Sequence, residues 1–276
     1  MRLQTRIAPT PSGYLHIGNA WSFVITTLVA RTLGASIQLR IDDMDRARFR
    51  EEYLDDIFDS LKWLGIHWDS GPQTAVEFHN KFSQQKRHHL YNTALKQLSE
   101  IKNPDRNLIY GCRCSRKDIK AARTVLGLSG NIYPGTCRNK KVPLNTENIN
   151  WRIRTEDISP ITINDHLTKK EVQLQETTGD FSIRTKKGEP AYQLCSVVDD
   201  EYYGNNLIVR GSDLLDSSAA QLFISPFLDN SLFSNTKFLH HSLITDVSGN
   251  KLSKSNQAPA IRNLRSELST PNKLFQ

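Results

Sequence analysis

Apolar and polar residues alternate loosely over residues 3–8 and again over SIQLRI at 36–41, the period-two signature of short, half-buried strands. Between them, His16 to Thr32 is mostly apolar, with Ile17, Ala20, Trp21, Val24, Leu28 and Val29 at helical spacing. Gly34 stands where a left-handed cap glycine closes a helix. Strand, glycine-bearing loop, helix and strand make a βαβ unit, which requires a parallel pair and a right-handed crossover. A second helix is predicted over 50–64, with Tyr53, Ile57, Leu61 and Leu64 on one face and Gly65 at its end. A turn follows at 68–72, then a polar helix over about 79–101 and an irregular stretch over 103–150. Residues 151–185 read as short strands (WRIRT, ITIND, EVQLQ, FSIRT), AYQLCSVVDD at 191–200 as a buried strand, and 216–228 as a helix. The pattern predicts an α/β fold: a Rossmann-type parallel sheet for nucleotide binding that carries an insertion.

Composition narrows the class. The chain has 276 residues, 38% hydrophobic and 24% charged, ordinary for a soluble globular protein with one large or two modest domains. No apolar run approaches the roughly 20 residues that cross a bilayer, and the N-terminus has no signal-type apolar stretch. The expectation is a cytoplasmic protein without membrane contact. The net charge of +7 favours polyanionic partners. Of four cysteines, Cys112, Cys114 and Cys137 fall within one short window; in a cytoplasmic chain this reads better as metal ligation than as disulfides. Cys195, in the apolar 191–200 run, reads as core.

Two segments carry candidate chemistry. In Ala8-Pro-Thr-Pro-Ser-Gly-Tyr-Leu-His-Ile-Gly-Asn19 a strand end runs into a helix N-terminus, where unpaired N–H groups and the helix dipole favour an anion. Gly13 and Gly18 permit close backbone approach, and His16 can donate to a phosphate oxygen. Lys251-Leu-Ser-Lys-Ser255 places two lysines three apart after Ser248-Gly-Asn250, suited to charge building on a phosphate. Taken singly, each also reads as an ordinary loop.

Together and in this order, H-I-G-N at 16–19 and K-L-S-K-S at 251–255 resemble the HIGH and KMSKS signatures of class I aminoacyl-tRNA synthetases. The resemblance implies that His16, Gly18 and Lys254 bind ATP, accompanied by Mg²⁺, and that Lys251 and Lys254 neutralise charge during adenylate formation. Arg6-Ile-Ala-Pro-Thr-Pro-Ser-Gly13, Leu39-Arg-Ile-Asp-Asp-Met-Asp45, Trp63 to Pro72, Val197 to Asp200 and Val209 to Asp216 are similar to segments of the glutamyl branch. By position, Arg6, Thr10, Asp42, Tyr192 and Arg210 would hold L-glutamate, the arginines taking its carboxylates. The glutamyl pattern is R-I-E-D-T-D, whereas this chain reads R-I-D-D-M-D. The resemblance therefore implies that Asp42 would meet the substrate ammonium with a carboxylate one methylene shorter, as in glutaminyl enzymes.

The cysteines resemble the C-x-C…Y-x-x-x-C zinc site of the shortened glutamyl paralogues, which makes Tyr133 the fourth ligand beside Cys112, Cys114 and Cys137 of a structural zinc. The paralogues transfer glutamate to the queuosine base of the tRNA(Asp) anticodon stem-loop. Only 22 residues follow Lys254, so a short stem-contact segment is expected and no anticodon-binding domain. The expected organisation is a catalytic half over 1–102, a zinc-bearing insertion over 103–190, a second half over 191–240, and the lysine loop with the short stem segment over 241–276. The family precedent is a monomer. Lys186, Lys187, Arg262 and Arg265 are candidate RNA contacts. The alternative is a ligase that passes activated glutamate, or a related amino acid, to a small amine without tRNA. A reduced paralogue that only binds is opposed by the intact His16, Gly18, Lys251 and Lys254.

Overall fold

Strand β1 (Gln4–Ile7) and strand β2 (Ser36–Leu39) pair in parallel, Gln4 beside Ser36 and Ile7 beside Leu39. Helix α1 (Ile17–Leu33) joins them, as the βαβ pattern requires. A computed structural model describes residues 2–103, 106–128, 130, 132–166, 168–228, 231–244, 259–268 and 270–271. The chain divides into two units, one of residues 1–88, 205–213 and 237–276, the other of 89–204 and 214–236.

In the first unit, α1 ends at Gly34 (φ 63°), whose N–H closes on the carbonyls of Ala30 and Arg31. Its buried stripe is Ala20, Phe23, Thr26, Thr27 and Ala30, whereas Leu28 is exposed. Of the residues at helical spacing, Ala20 is in the core and Val24 packs against it, but Leu28 is not. The helix is apolar nearly all round, so its periodicity was weak, and the two threonines enter the core by bonding their hydroxyls back to Ser22 O (2.7 Å) and Phe23 O (2.8 Å). Helix α2 (Glu51–Trp63) buries Leu54, Ile57, Phe58 and Leu61 against Ile7, Leu39 and Ile41. The turn at 68–72 lies along β2: Asp69 Oδ2 accepts from Ile37 N–H (2.7 Å) and Ser70 O from Leu39 N–H (2.9 Å). Gly71 is obligatory there, since its φ is 102° and a Cβ would stand 2.1 Å from Leu39 O. A second parallel pair, Leu207–Gly211 with Lys237–His241, is tied to β1 by Asn206 N–H donating to Gln4 O (3.0 Å).

The polar helix expected over 79–101 is broken. A π-helical turn Phe78–Phe82 and a 3-10 turn Gln84–Arg87 precede a helix His88–Glu100. Ser83 makes the break, donating its hydroxyl to Asp43 (2.6 Å) and accepting from Gln85 N–H (3.2 Å).

The second unit holds an antiparallel sheet of Ile109–Cys112, Asn150–Ile153 and Ser182–Arg184, and a hairpin of Ile161–Asn164 with Lys169–Val172. These agree with the short strands read over 151–185. Within 103–150 a helix Arg116–Val125 went unread, because it fully buries none of its residues and only Ile119 packs against the cysteine cluster; Ser115 and Asp118 form its capping box. Residues 191–200 are not a strand but the start of a helix, Tyr192–Tyr203. All seven residues from Leu194 to Asp200 are buried, which erases any period that could separate strand from helix. Gly204 (φ 75°) caps it, and the buried Asp199 accepts from Tyr91 Oη at 2.7 Å. Cys195 is core, as expected. The helix expected over 216–228 is Leu215–Ile224, continued by a 3-10 turn Ser225–Leu228 containing Pro226.

Candidate functional site

Parallel strands end in crevices where ligands bind, and the first unit places two buried arginines there. Arg6 is the penultimate residue of β1 and Arg210 that of Leu207–Gly211; both are buried. Arg6 Nη1 lies 3.5 Å from Val209 O, and the Arg210 guanidinium sits 5.3 Å from the Phe238 ring centroid. Buried guanidinium groups favour an anion, and their planar forks match carboxylates. The loop after β1 is fastened to the chain after β2: Arg40 N–H donates to Ile7 O and Asp42 N–H to Pro9 O, each at 2.9 Å. Thr10 on this loop is exposed. Asp42 is gripped by Arg40, whose Nε and Nη2 reach its two carboxylate oxygens at 2.8 and 3.0 Å.

His16 is the N-cap of α1. Its Nδ1 accepts from Gly18 N–H (3.1 Å), while Asn19 Oδ1 accepts from His16 N–H (3.1 Å), a capping box. In the neutral ring this leaves the proton on Nε2, which makes that atom a donor. The chain from Ala260 docks on the same loop: Ile261 N–H donates to Leu15 O (2.8 Å), Arg262 donates to Tyr14 Oη, and Ile261 is fully buried. Lys251 and Lys254 lie outside the described residues.

The second unit brings Cys112, Cys114 and Cys137 together, with all three sulfurs within 4.8 Å of one another and all buried. Cys114 Sγ is 3.5 Å from Cys137 Sγ, and Tyr133 Oη is 3.2 Å from Cys112 Sγ and 3.7 Å from Cys114 Sγ. A tetrahedral zinc with bonds of about 2.0–2.3 Å separates its ligand atoms by roughly 3.3–3.8 Å, so the four atoms fit one ion. Tyr133 is held for this position. Its oxygen accepts from Cys137 N–H (2.9 Å), and the Arg152 guanidinium lies 3.6 Å from its ring centroid. Burial pushes the Cys114 thiol up to about 11 and raises the Tyr133 hydroxyl as well. Although burial opposes it, Cys137 is drawn below the usual thiol value by the Arg113 backbone and by Cys114. A buried cluster of this kind could hold a metal ion.

Behind the cluster is a network that the sequence did not disclose. Asp180, fully buried, accepts from Tyr110 Oη (2.5 Å), Arg138 Nε (2.7 Å), Thr155 N–H (2.9 Å) and Thr155 Oγ1 (3.2 Å). Burial, then the Asp180 carboxylate, raises the Tyr110 hydroxyl and keeps it a donor. Gly179 (φ 62°) bridges Tyr133, and a Cβ there would lie 2.4 Å from Tyr133 O.

Residues 2–272 match the family model described as the catalytic domain of class I tRNA synthetases (E and Q). The chain belongs to this family. The synthetase is 34% identical over 272 residues to the glutamyl-Q tRNA(Asp) synthetase of Nitratidesulfovibrio vulgaris, covering 95% of this chain and 81% of that one. It is 32% identical to the glutamyl-Q tRNA(Asp) synthetase of Rhodobacter capsulatus, with 97% and 96% covered. Among solved structures, a glutamate-tRNA synthetase from Elizabethkingia anophelis superposes with a TM-score of 0.73 at 22% identity, which supports the fold. The match covers 93% of this chain and 53% of that one, so the synthetase spans about half that structure's length.

The protein is therefore a ligase of the aminoacyl-tRNA synthetase type with a class I α/β catalytic fold. Of its expected site residues, the structure places Arg6, Thr10, Asp42, His16, Gly18 and Arg210 in the first unit, on strand ends and the loop that they carry. Tyr192 belongs to the second unit, opens the helix Tyr192–Tyr203 and is half exposed. Cys112, Cys114, Tyr133 and Cys137 converge. Arg40, Asn19, Arg152 and Asp180 went unread. Of these, only Asn19 had a local signal, three residues after the cap in H-x-x-N. Among the described residues no helix is long and apolar enough to cross a membrane.

Proposed function

We propose that the synthetase activates L-glutamate with ATP and transfers the glutamyl group to the queuosine base of tRNA(Asp), in the cytoplasm. The observation that carries the reading is the pair of buried arginines at the carboxyl ends of neighbouring strands, beside a loop that delivers His16 as a helix cap. Glutamate brings two carboxylates for Arg6 and Arg210, and an ammonium for the Thr10–Asp42 side. Its α-carboxylate attacks the α-phosphate of ATP, releasing pyrophosphate and leaving glutamyl adenylate; an acceptor nucleophile then takes the acyl group and releases AMP. His16 donates through Nε2 to a phosphate oxygen, Gly18 gives the helix N-terminus its close approach, and Lys251 and Lys254 supply positive charge. Mg²⁺ accompanies the nucleotide. Zinc on Cys112, Cys114, Cys137 and Tyr133 pins the loops that carry these residues. The queuosine acceptor is favoured by the glutamyl-Q relatives, of which the chain covers most of the length.

The Arg40 fork bears on specificity. It offsets the Asp42 charge, so the carboxylate meets the ammonium as half of an ion pair. The test is pyrophosphate exchange with each amino acid, without RNA, followed by transfer of labelled glutamate to tRNA(Asp) with and without queuosine. Exchange with glutamate alone and labelling only of the queuosine form are expected. Exchange with a different amino acid overturns the pocket assignment. Labelling without queuosine, or of small amines instead, overturns the acceptor.

A further inference from the structure

The four basic residues first considered as RNA contacts are mostly engaged within the protein. Arg262 donates to Tyr14 Oη, Arg265 Nη2 lies 3.5 Å from Asp56 Oδ1 and 3.4 Å from Asp59 Oδ2, and Lys186 Nζ donates to Arg113 O at 2.6 Å. The second unit offers a stronger electrostatic feature elsewhere. A groove of about 800 Å³ is lined by Lys102, Arg106, Lys141 and Arg154, and no carboxylate is among its described lining residues. A neighbouring hollow of about 450 Å³ shares Lys102, Arg106 and Arg154 and continues to Phe223 and Phe227. These two half-buried rings stand 5.5 Å apart, edge to face.

The hollow's own carboxylates are Glu156, which takes Arg106 at 2.6 Å and Arg154 at 3.1 Å, and Asp157, 3.7 Å from Arg106; they fix the guanidinium groups in place. Lys102 and Lys141 are exposed and form no ion pair among the described residues, so the surplus charge is theirs. Lys141 sits at φ 50°, a backbone conformation rare for lysine, at the groove's rim. Cations along a groove that leads to aromatic faces make the arrangement by which proteins hold unpaired nucleotides: phosphates on the cations, bases on the rings. A paired helix would offer its phosphates but no base face to the phenylalanines.

We propose that this groove binds a single-stranded stretch of the RNA substrate, with Lys102 and Lys141 on backbone phosphates and a base stacked on Phe227. The identity of that RNA as tRNA rests on the function proposed above; the groove's chemistry does not. The experiment is fluorescence anisotropy of a labelled tRNA(Asp) transcript and of a 12-nucleotide oligouridine at 50 and 200 mM salt. The wild type is compared with the double variant Lys102→Glu/Lys141→Glu and with Phe227→Ala and Phe227→Tyr. Glutamate-dependent pyrophosphate exchange without RNA is measured on each.

Each phosphate contact to a single strand contributes about 0.7 to the slope of log affinity against log salt, so the lysine variant is expected to lose more than one unit of slope. Phe227→Ala is expected to weaken oligouridine binding about tenfold with the slope unchanged, and Phe227→Tyr to retain it. Exchange activity stays at the wild-type level in all three variants. RNA affinity unaltered by these substitutions, with exchange intact, overturns the groove and leaves the activation reading standing. Full displacement of the oligouridine by inorganic tripolyphosphate, with Phe227→Ala without effect, overturns the stacking site in favour of a plain anion site. Groove-dependent RNA binding in a chain that shows no exchange upholds the groove and removes the activation reading.

Discussion

Asp180 is the most consequential single residue outside the strand-end pocket, and its replacement by alanine is a sharp test of how the second unit holds together. The carboxylate is fully buried and takes four hydrogen bonds, from Tyr110, Arg138 and both the N–H and the hydroxyl of Thr155. Alanine removes the acceptor and leaves the Arg138 charge, the Tyr110 hydroxyl and the Thr155 amide facing a small cavity. Breaking one side of a buried pair costs about 3–5 kcal/mol, and orphaned donors account for most of that. Stability falls by about 1–3 kcal/mol per molar urea, so the urea midpoint is expected to drop by about 1 M or more. Asn keeps one oxygen and the shape, and should cost about half as much. Arg138 directly follows Cys137, and Gly179 bridges Tyr133, so the loss should spread to the cysteine cluster. The assay is urea unfolding followed by circular dichroism, with zinc release read in parallel by a chromogenic chelator. Asp180→Ala within about 1 kcal/mol of the wild type, with zinc release unchanged, would falsify the view that this network supports the cluster.

Three further outcomes are expected. Gly179→Ala puts a methyl group 2.4 Å from Tyr133 O at a φ of 62°, so it should cost about 2–3 kcal/mol in urea unfolding and speed zinc loss; a neutral result would mean that the 133–137 loop can shift freely. The purified protein should carry one zinc per chain by elemental analysis, and Cys114→Ser should lose most of it; a metal-free wild type purified gently would remove zinc from the account. Asp56 is buried, and its carboxyl is raised above the usual value by that burial, which Arg265 only partly offsets. A raised carboxyl in the folded state means that the native protein holds its proton longer than the unfolded chain, so this group's contribution falls as pH rises above about 4. Asp56→Asn should therefore gain stability relative to wild type between pH 4 and 7 and match it near pH 3. A gap that stays constant across that range would show that the Arg265 pairing cancels the burial, and one that turns in favour of the wild type as pH rises would show that the pairing outweighs it.

What was legible in the sequence follows from where the physics is local. The βαβ start was readable because a capped helix between two short alternating runs needs nothing distant to specify it. Cys112, Cys114 and Cys137 could be grouped because thiols in one window have few other uses in a reducing compartment. The helix Tyr192–Tyr203 was misread for the opposite reason. Its run from Leu194 to Asp200 is buried on every side by partners far along the chain, so no period survives in it, and Asp199 takes its hydrogen bond from the distant Tyr91. Asp180 was invisible on the same ground. A carboxylate after a glycine in T-T-G-D looks like a surface turn, and only the fold delivers Tyr110, Arg138 and Thr155 to it from three other segments. The basic residues show the limit most plainly. Sequence gives their number but not their pairing, and pairing decides function: Arg265 is tied to Asp56 and Asp59, while Lys102 and Lys141 line a groove without an ion-pair partner among the described residues. A net charge of +7 therefore licenses the expectation of a polyanion, and it takes the fold to say which surface meets it.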